Sequence, residues 1–561
     1  MNQSEPVSGS APFGATSDAE RNLKNPLPHG RGSENLSRGA DDQGQVRTAA
    51  ALTAVCLAAS VVCGLRSDGV HHFDDLTHLL FAKWAADYPA YLVHDWGRPG
   101  FTVLYFLPAQ LGWPAARVFS ALLSAAAAWM AFRIAQRLGS GLAWIVPAVT
   151  FLQPLFFVLS LTTLTETALA FYLTAAVYLA ARGRWTASSA VLSVGFVTRH
   201  EALVFLPLWL IAARRKRVAL ARLWPLVWAP LVVNVLARLA GLNAPIDLLF
   251  NVFPSGDYGR GGWLTFFSRS MEAWGPALSA LGFAGLSFVW TRPGGLLVAG
   301  SAAIYFAAQT VIRVLGAFDA GGYPRFLVPV SPLTAVAAAV ALESLAARPI
   351  KARLRAARRT GAMFLVLWIA MEVQLRRPET PAFLPEIHAA KIAVRVATGI
   401  VAVLVAAAWW FGRHGPRGVA VARRVGTALT ASLAILAGLA FHELAGVLRI
   451  GPGEQVAIEA VSWLRGHGYG DRPVLSAHVY VDYLLGYVPP PHTPGLRERV
   501  AAAPVGSIVL WDRQFAPASA VGFHHEDVEN PRAFRPLHAG RPLPHQTEPQ
   551  IRLYEKIGPW P

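Results

Sequence analysis

The chain has 561 residues, 54% of them hydrophobic and only 15% charged, with a formal net charge of +17. A soluble domain of average make-up carries about 25% charged residues, so this composition excludes an ordinary soluble enzyme and points to an integral membrane protein. The positive charge does not indicate nucleic acid: the arginines sit in short clusters between apolar runs, as cytoplasmic loops do. The two cysteines, Cys56 and Cys63, share one apolar helix and form no disulfide framework.

Residues 1–46 are rich in Ser, Gly, Pro, Asn and charge, and read as a disordered cytoplasmic tail. Residues 48–65 form the first spanning helix. The external loop 66–97 then carries His71-His72-Phe73-Asp74-Asp75-Leu76-Thr77-His78, followed by an aromatic stretch suited to the membrane interface. Residues 99–113 are apolar but short, with Pro108 inside them, and are expected to lie along the surface.

Further spans are expected at 116–137, 141–160, 164–182, 223–240, 275–291, 295–314, 326–346, 361–376, 392–411 and 425–445. The run 186–213 is long enough for one span, but Thr198-Arg199-His200-Glu201 interrupts it. A charged tetrad at mid-bilayer costs several kcal/mol, roughly, so two shorter helices meeting at the tetrad are the better reading. The basic clusters Arg214-Arg215-Lys216-Arg217, Arg348 to Arg359 and Arg413 to Arg424 set the cytoplasmic side. The resulting fold class is α: a polytopic transmembrane bundle of about thirteen helices, N-terminus cytoplasmic. Residues 47–346 form a catalytic module and 347–445 additional helices. Residues 446–561, polar and rich in Pro and His, make a small extracytoplasmic α/β domain. Within it Glu454 to Gly466 reads as a helix, and Pro473 to Ala477, Ser507 to Trp511 and Ile551 to Tyr554 as strands.

This topology puts Asp74, Asp75, Glu166, Arg199, His200, Glu201 and Arg325 on one side, the extracytoplasmic one. A carboxylate at an apolar boundary has its pKa raised by desolvation, which suits a general base. The bland alternative for the pair is a helix cap, with Asp75 well placed to cap Leu76 onward. Glu166 is either the N3 member of a capping box begun by Thr163 or a second acid facing the first. Arg199 and Arg325 are either structural ion-pair partners or phosphate ligands, a task that the guanidinium fork performs well. Asp75, Glu166 and His78 are the candidates for a divalent metal, Mg or Mn rather than Zn, although no metal-binding spacing is present.

In order along the chain, several segments resemble the GT-C superfamily of membrane glycosyltransferases, nearest to its protein O-mannosyltransferase and lipid A aminoarabinose transferase branch. They are Phe73-Asp74-Asp75, Arg98-Pro99-Gly100-Phe101, Phe132-Arg133 to Leu138-Gly139, Glu166 in the second external loop, Gly195-Phe196-Val197-Thr198-Arg199 and Arg325-Phe326-Leu327-Val328-Pro329. The resemblance implies transfer of a sugar from a polyprenyl-phosphate donor to a hydroxyl of a glycan, lipid or protein acceptor, at the outer boundary of the plasma membrane, with inversion. Asp74 would be the base, supported by Asp75 and Glu166. Arg199, Arg325, His200 and Tyr323 would hold the donor phosphate. Glu166, where many relatives have Asp, and the His200-Glu201 pair depart from the family pattern. A glycan polymerase or ligase, or a flippase of lipid-linked sugars, is the competing reading. Reporter fusions after residues 137, 166 and 200 are expected to read inside, outside and outside; position 166 reading inside would overturn this topology.

Overall fold

The computed structural model of the protein describes residues 31–249, 259–319, 321–347, 350–376, 399, 403, 427–428, 431–442, 445–518, 521–544 and 546–560. The chain divides into two units, Met1–Arg47 and Thr48–Pro561. In the first, residues 31–47 are helical, so helix begins ahead of the boundary expected from hydropathy. The rest of the expected tail, residues 1–30, lies outside the described residues.

The helices are α1 (Arg31–Leu65), α2 (Phe73–Trp84), α3 (Pro99–Gln110), α4 (Trp113–Arg137), α5 (Val146–Phe151), α6 (Pro154–Leu159), α7 (Thr165–Ala181), α8 (Trp185–Thr198), α9 (Phe205–Arg215), α10 (Trp228–Leu239), α11 (Thr265–Trp274), α12 (Pro276–Val289), α13 (Gly295–Leu315), α14 (Ser331–Ala346) and α15 (Ile350–Arg376). Short 3-10 segments join several of them, among them His200–Val204 between α8 and α9 and Pro324–Val330 before α14.

Proline explains most of the breaks. It occupies one of the first two positions of α3, α4, α5, α6, α12 and α14, where its missing N–H has no intrahelical partner to lose. The expected span 141–160 is therefore not one helix. A 3-10 turn, α5 and α6 replace it, and buried Gln153 at the break donates to the Ser331 carbonyl at 2.9 Å. The run 186–213 does split at the polar tetrad, into α8, the 3-10 segment and α9. Residues 99–113 form the short helix α3, whose outer side leaves Val103 and Leu107 exposed. Helix α11 falls in a stretch expected to be a loop. Its Arg269 and Glu272 pair at 3.0 Å one turn apart, so its charges are buried rather than solvated.

Among the described residues, five helices are long and apolar enough to cross a membrane: Asp42–Leu65, Trp113–Arg137, Leu220–Leu239, Gly295–Leu315 and Pro324–Ala346. Four shorter apolar helices accompany them, Thr165–Ala181, Trp185–Thr198, Pro276–Val289 and Ala431–His442. This is a multi-pass membrane protein. Proline and the polar tetrad cut several of the expected runs into shorter pieces. The expected span 392–411 lies outside the described residues apart from 399 and 403. Small residues let the helices touch. A Cβ added at Gly285 of α12 would lie 1.9 Å from the Ala337 carbonyl oxygen of α14.

The C-terminal region is α/β, as its sequence suggests. Its sheet has the order β1 (Val474–Leu475), β2 (Ile508–Asp512), β4 (Ile551–Lys556), β3 (Phe534–Ala539). Strand β1 is parallel to β2; the other pairings are antiparallel, with Val509 opposite Tyr554. Strand β3 falls outside the expected set: a proline and largely exposed side chains hide an edge strand from pattern reading. Alternate residues face opposite ways. Ile508, Leu510, Ile551 and Leu553 pack with Val456, Ala460 and Leu464 of the helix Pro452–Gly466, in a core continuous with Leu76, Leu79 and Leu80 of α2. The same helix region clamps the chain ahead of α2: Asp68 and Gly69 donate backbone bonds to the Leu448 carbonyl, and Val70 to Glu454 at 3.2 Å.

Candidate active site

His72, extended at φ −156°, caps α2 by accepting the Asp74 backbone N–H on its ring nitrogen at 3.2 Å. Asp74 and Asp75 thus sit in the first helical turn, where the helix dipole favours negative charge. They diverge. The Asp74 Oδ2 lies 2.6 Å from Arg325 Nη2 and 3.3 Å from His72 Nδ1. Burial pushes its pKa up, but the Arg325 guanidinium and His72 outweigh this and hold it well below the ordinary carboxylate value.

Asp75 does not cap α2. It is fully buried and receives both the backbone N–H of Thr163, at 2.5 Å, and the Thr163 hydroxyl. Burial raises its pKa, against the pull of Arg117 and Thr163. Thr163 is thereby taken from the expected capping box: Leu164 stands at the N-cap of α7, and no side chain caps it. Asp75 instead ties the first turn of α2 to the segment ahead of α7, and among the described residues its buried Oδ2 has no hydrogen-bond partner.

Glu166, in the first turn of α7, is buried and lies 2.7 Å from Arg199 Nη1 and 3.5 Å from Arg325 Nε. Arg199, at the C-cap of α8, also reaches Glu201 at 2.6 Å. Burial opposes the charge on Arg199, but Glu166 and Glu201 more than restore it. Burial works against the Glu201 carboxylate too, yet Arg199 takes its pKa down to about 2. One ring, Phe326, faces both guanidiniums, at 4.9 Å from Arg199 and 5.6 Å from Arg325. Tyr323 stacks its ring beneath Arg325 at 5.0 Å and edge-on to His72 at 5.4 Å. Burial keeps His71 and His78 neutral, with pKa values of about 3, and His200 likewise at about 4.

All seven predicted site residues except Asp75 therefore join one cluster, with Asp75 just behind it. Sequence reasoning missed four supporting residues: His72 as cap and partner of Asp74, Thr163, Phe326 and Arg98. Arg98 stands before α3 at φ +60°, a left-handed conformation rare outside glycine, and approaches His200 Nδ1 at 3.3 Å. Beside it lies a cavity of about 130 Å³, lined by Arg98, His200, Asp95 and Asn234 together with apolar residues such as Phe196 and Ile246. The metal candidates do not converge. Asp75 faces Thr163, Glu166 faces Arg199, and the His78 ring tilts against Phe101. Among the described residues no three His, Cys, Asp or Glu side chains form a ligand set.

Broken helices place charged ends around one acidic turn and are followed by a small α/β region, and this fold has solved counterparts. The chain is similar over nearly its whole length to ArnT from Cupriavidus metallidurans. The crystal structure of that protein bound to undecaprenyl phosphate matches at a TM-score of 0.53 and 14% identity, covering 92% of this chain and 98% of the other. Its apo structure matches at 0.52 and 15%, with the same coverage. At such identities the likeness is one of fold. No protein-family model and no curated protein matches the chain.

Glu201 gives a pH prediction. Its folded pKa, about 2, lies below the ordinary 4.5, so its contribution to stability is present above pH 4.5 and lost as pH falls toward 2. Glu201→Gln should cost about 1.5–3 kcal/mol at neutral pH, because it removes one of the two carboxylates on Arg199 and leaves Glu166 in place, and thermal melts of the purified protein should show a shallower loss across that window. An unchanged slope would contradict the assignment.

Proposed function

We propose that the protein is a glycosyltransferase that moves a sugar from a polyprenyl-phosphate donor to an acceptor hydroxyl at the extracytoplasmic face of the plasma membrane. The observation that carries this reading is Arg325. It is buried, bound through Nη2 to Asp74, yet its Nη1 has no hydrogen-bond partner among the described residues. A buried guanidinium with an unused donor beside a carboxylate is prepared for an anion. The cavity beside Arg98 has Phe196, Val197, Leu203 and Ile246 among its apolar walls and Arg98, His200, Asn234 and Asp95 as its polar groups. The structurally similar ArnT has been seen bound to undecaprenyl phosphate.

In the mechanism, the donor phosphate engages Arg325 and Arg199 and draws Arg325 away from Asp74. Burial then dominates at Asp74 and its basicity rises. Asp74 takes the proton of the acceptor hydroxyl. The acceptor oxygen forms a bond to the anomeric carbon from the face opposite the phosphate. The bond from that carbon to the phosphate oxygen breaks, and polyprenyl phosphate leaves with the electron pair, its charge met by the arginines. The configuration at the anomeric carbon inverts. His200 and Tyr323 orient Arg98 and Arg325 respectively. Asp75 and Glu166 hold the loops and arginines in place. No step is routed through a metal, since no three candidate ligands come together among the described residues.

Asp74→Asn should lower transfer by about 10²–10⁴-fold while the protein still folds. Arg325→Ala should weaken binding of undecaprenyl phosphate in a direct binding assay. Near wild-type turnover in the first variant, or unchanged affinity in the second, would contradict the mechanism.

A further inference from the structure

A second cavity, of about 710 Å³, lies across the bundle from Asp74. Helices α7, α8 and α13 each run between the two. Glu166 begins α7 and Ala181 ends it at this cavity; Trp185 of α8 lines it, while Thr198 meets the Arg199 cluster. In α13, Leu297 lines it and Gln309 reaches Glu201. At 1.5 Å per residue the separation is roughly 20 Å.

The cavity is amphiphilic. Its walls include Ile134, Val177 and Leu297, and its cations are Arg137, Arg215, Lys216 and Arg292. Arg292 is spoken for, paired with Glu343 at 3.0 Å. Among the described residues no carboxylate lies within ion-pair distance of Arg137, Arg215 or Lys216, and no acidic side chain lines the cavity. The exposed Trp290 stands at its edge, as tryptophan does at a lipid headgroup layer. Three unneutralised cations over apolar walls, at the basic end of a membrane bundle, match one chemistry: a phosphate head with hydrocarbon attached.

We infer that this cleft binds an anionic phospholipid, with its phosphodiester between Arg137, Arg215 and Lys216 and its acyl chains along α4, α7 and α13. The site is separate from the proposed donor site and does not depend on the glycosyltransferase reading. The guanidinium of Arg215 and the ammonium of Lys216 supply the charge, while the apolar walls select a lipid over a free anion.

The test uses the full-length protein, delipidated in detergent and titrated with phosphatidylglycerol or phosphatidylcholine, with bound lipid counted by native mass spectrometry. Phosphatidylglycerol should bind preferentially. Replacing both Arg215→Gln and Lys216→Gln should weaken that binding by roughly thirtyfold while thermal stability without added lipid stays at the wild-type value. Leu297→Trp, which fills the apolar wall and keeps every charge, should weaken it too. Equal binding of the two lipids, or an unchanged affinity in the double variant, would overturn the proposal. Displacement of phosphatidylglycerol by millimolar inorganic phosphate would assign the cleft to a free phosphate and overturn it as well. Failure of the Asp74 mechanism would leave these results untouched.

Discussion

A buried chain of alternating charge holds this structure to its shape. Asp74, Arg325, Glu166, Arg199 and Glu201 follow one another at 2.6, 3.5, 2.7 and 2.6 Å. They come from the start of α2, the 3-10 segment before α14, the start of α7 and the junction of α8 with α9. Taking five charges out of water is costly, and their mutual attraction repays this only with good geometry. Each arginine is shared by two carboxylates, so removing an arginine takes a partner from two buried acids at once. The network thereby ties the four segments together.

The broken helices are the means of placing those charges. A charged side chain within an intact span would face lipid or pack sideways against a neighbour. Here every member lies at or near a helix end. Glu166 in the first turn of α7 and Asp74 in the first turn of α2 lie where the dipole welcomes an acid, and Arg199 lies at the C-terminus of α8, where it welcomes a base. The proposed mechanism turns on one asymmetry in the chain: Arg325 holds two carboxylates but, among the described residues, leaves a donor unused. In that proposal an incoming phosphate takes the unused donor, and its arrival alters the basicity of Asp74.

Much of this is legible in the sequence because it is written locally. Apolar runs mark α4, α7, α13 and α14, and the tetrad Thr198 to Glu201 marks the break between α8 and α9. Sidedness, read from the arginine clusters alone, assigns the members of the charge chain to one face. What stays hidden is long-range. Nothing near Asp75 announces Thr163, 88 positions away, so local capping rules give both residues the wrong partner. Helix α11 holds a buried Arg269–Glu272 pair one turn apart, which no apolar run announces. The proline breaks in 141–160 are readable, but a hydropathy window averages across them. Arg98 escapes notice as a site residue because its importance lies in a backbone conformation that sequence does not display.

The most direct test of this account is a high-resolution structure of the full-length protein in lipid nanodiscs with undecaprenyl phosphate bound. The phosphate should lie within hydrogen-bond distance of Arg325, with the Asp74–Arg325 separation grown beyond its present 2.6 Å. A phosphate bound elsewhere, with the Asp74–Arg325 pair intact, would contradict the claim that the donor itself releases the base.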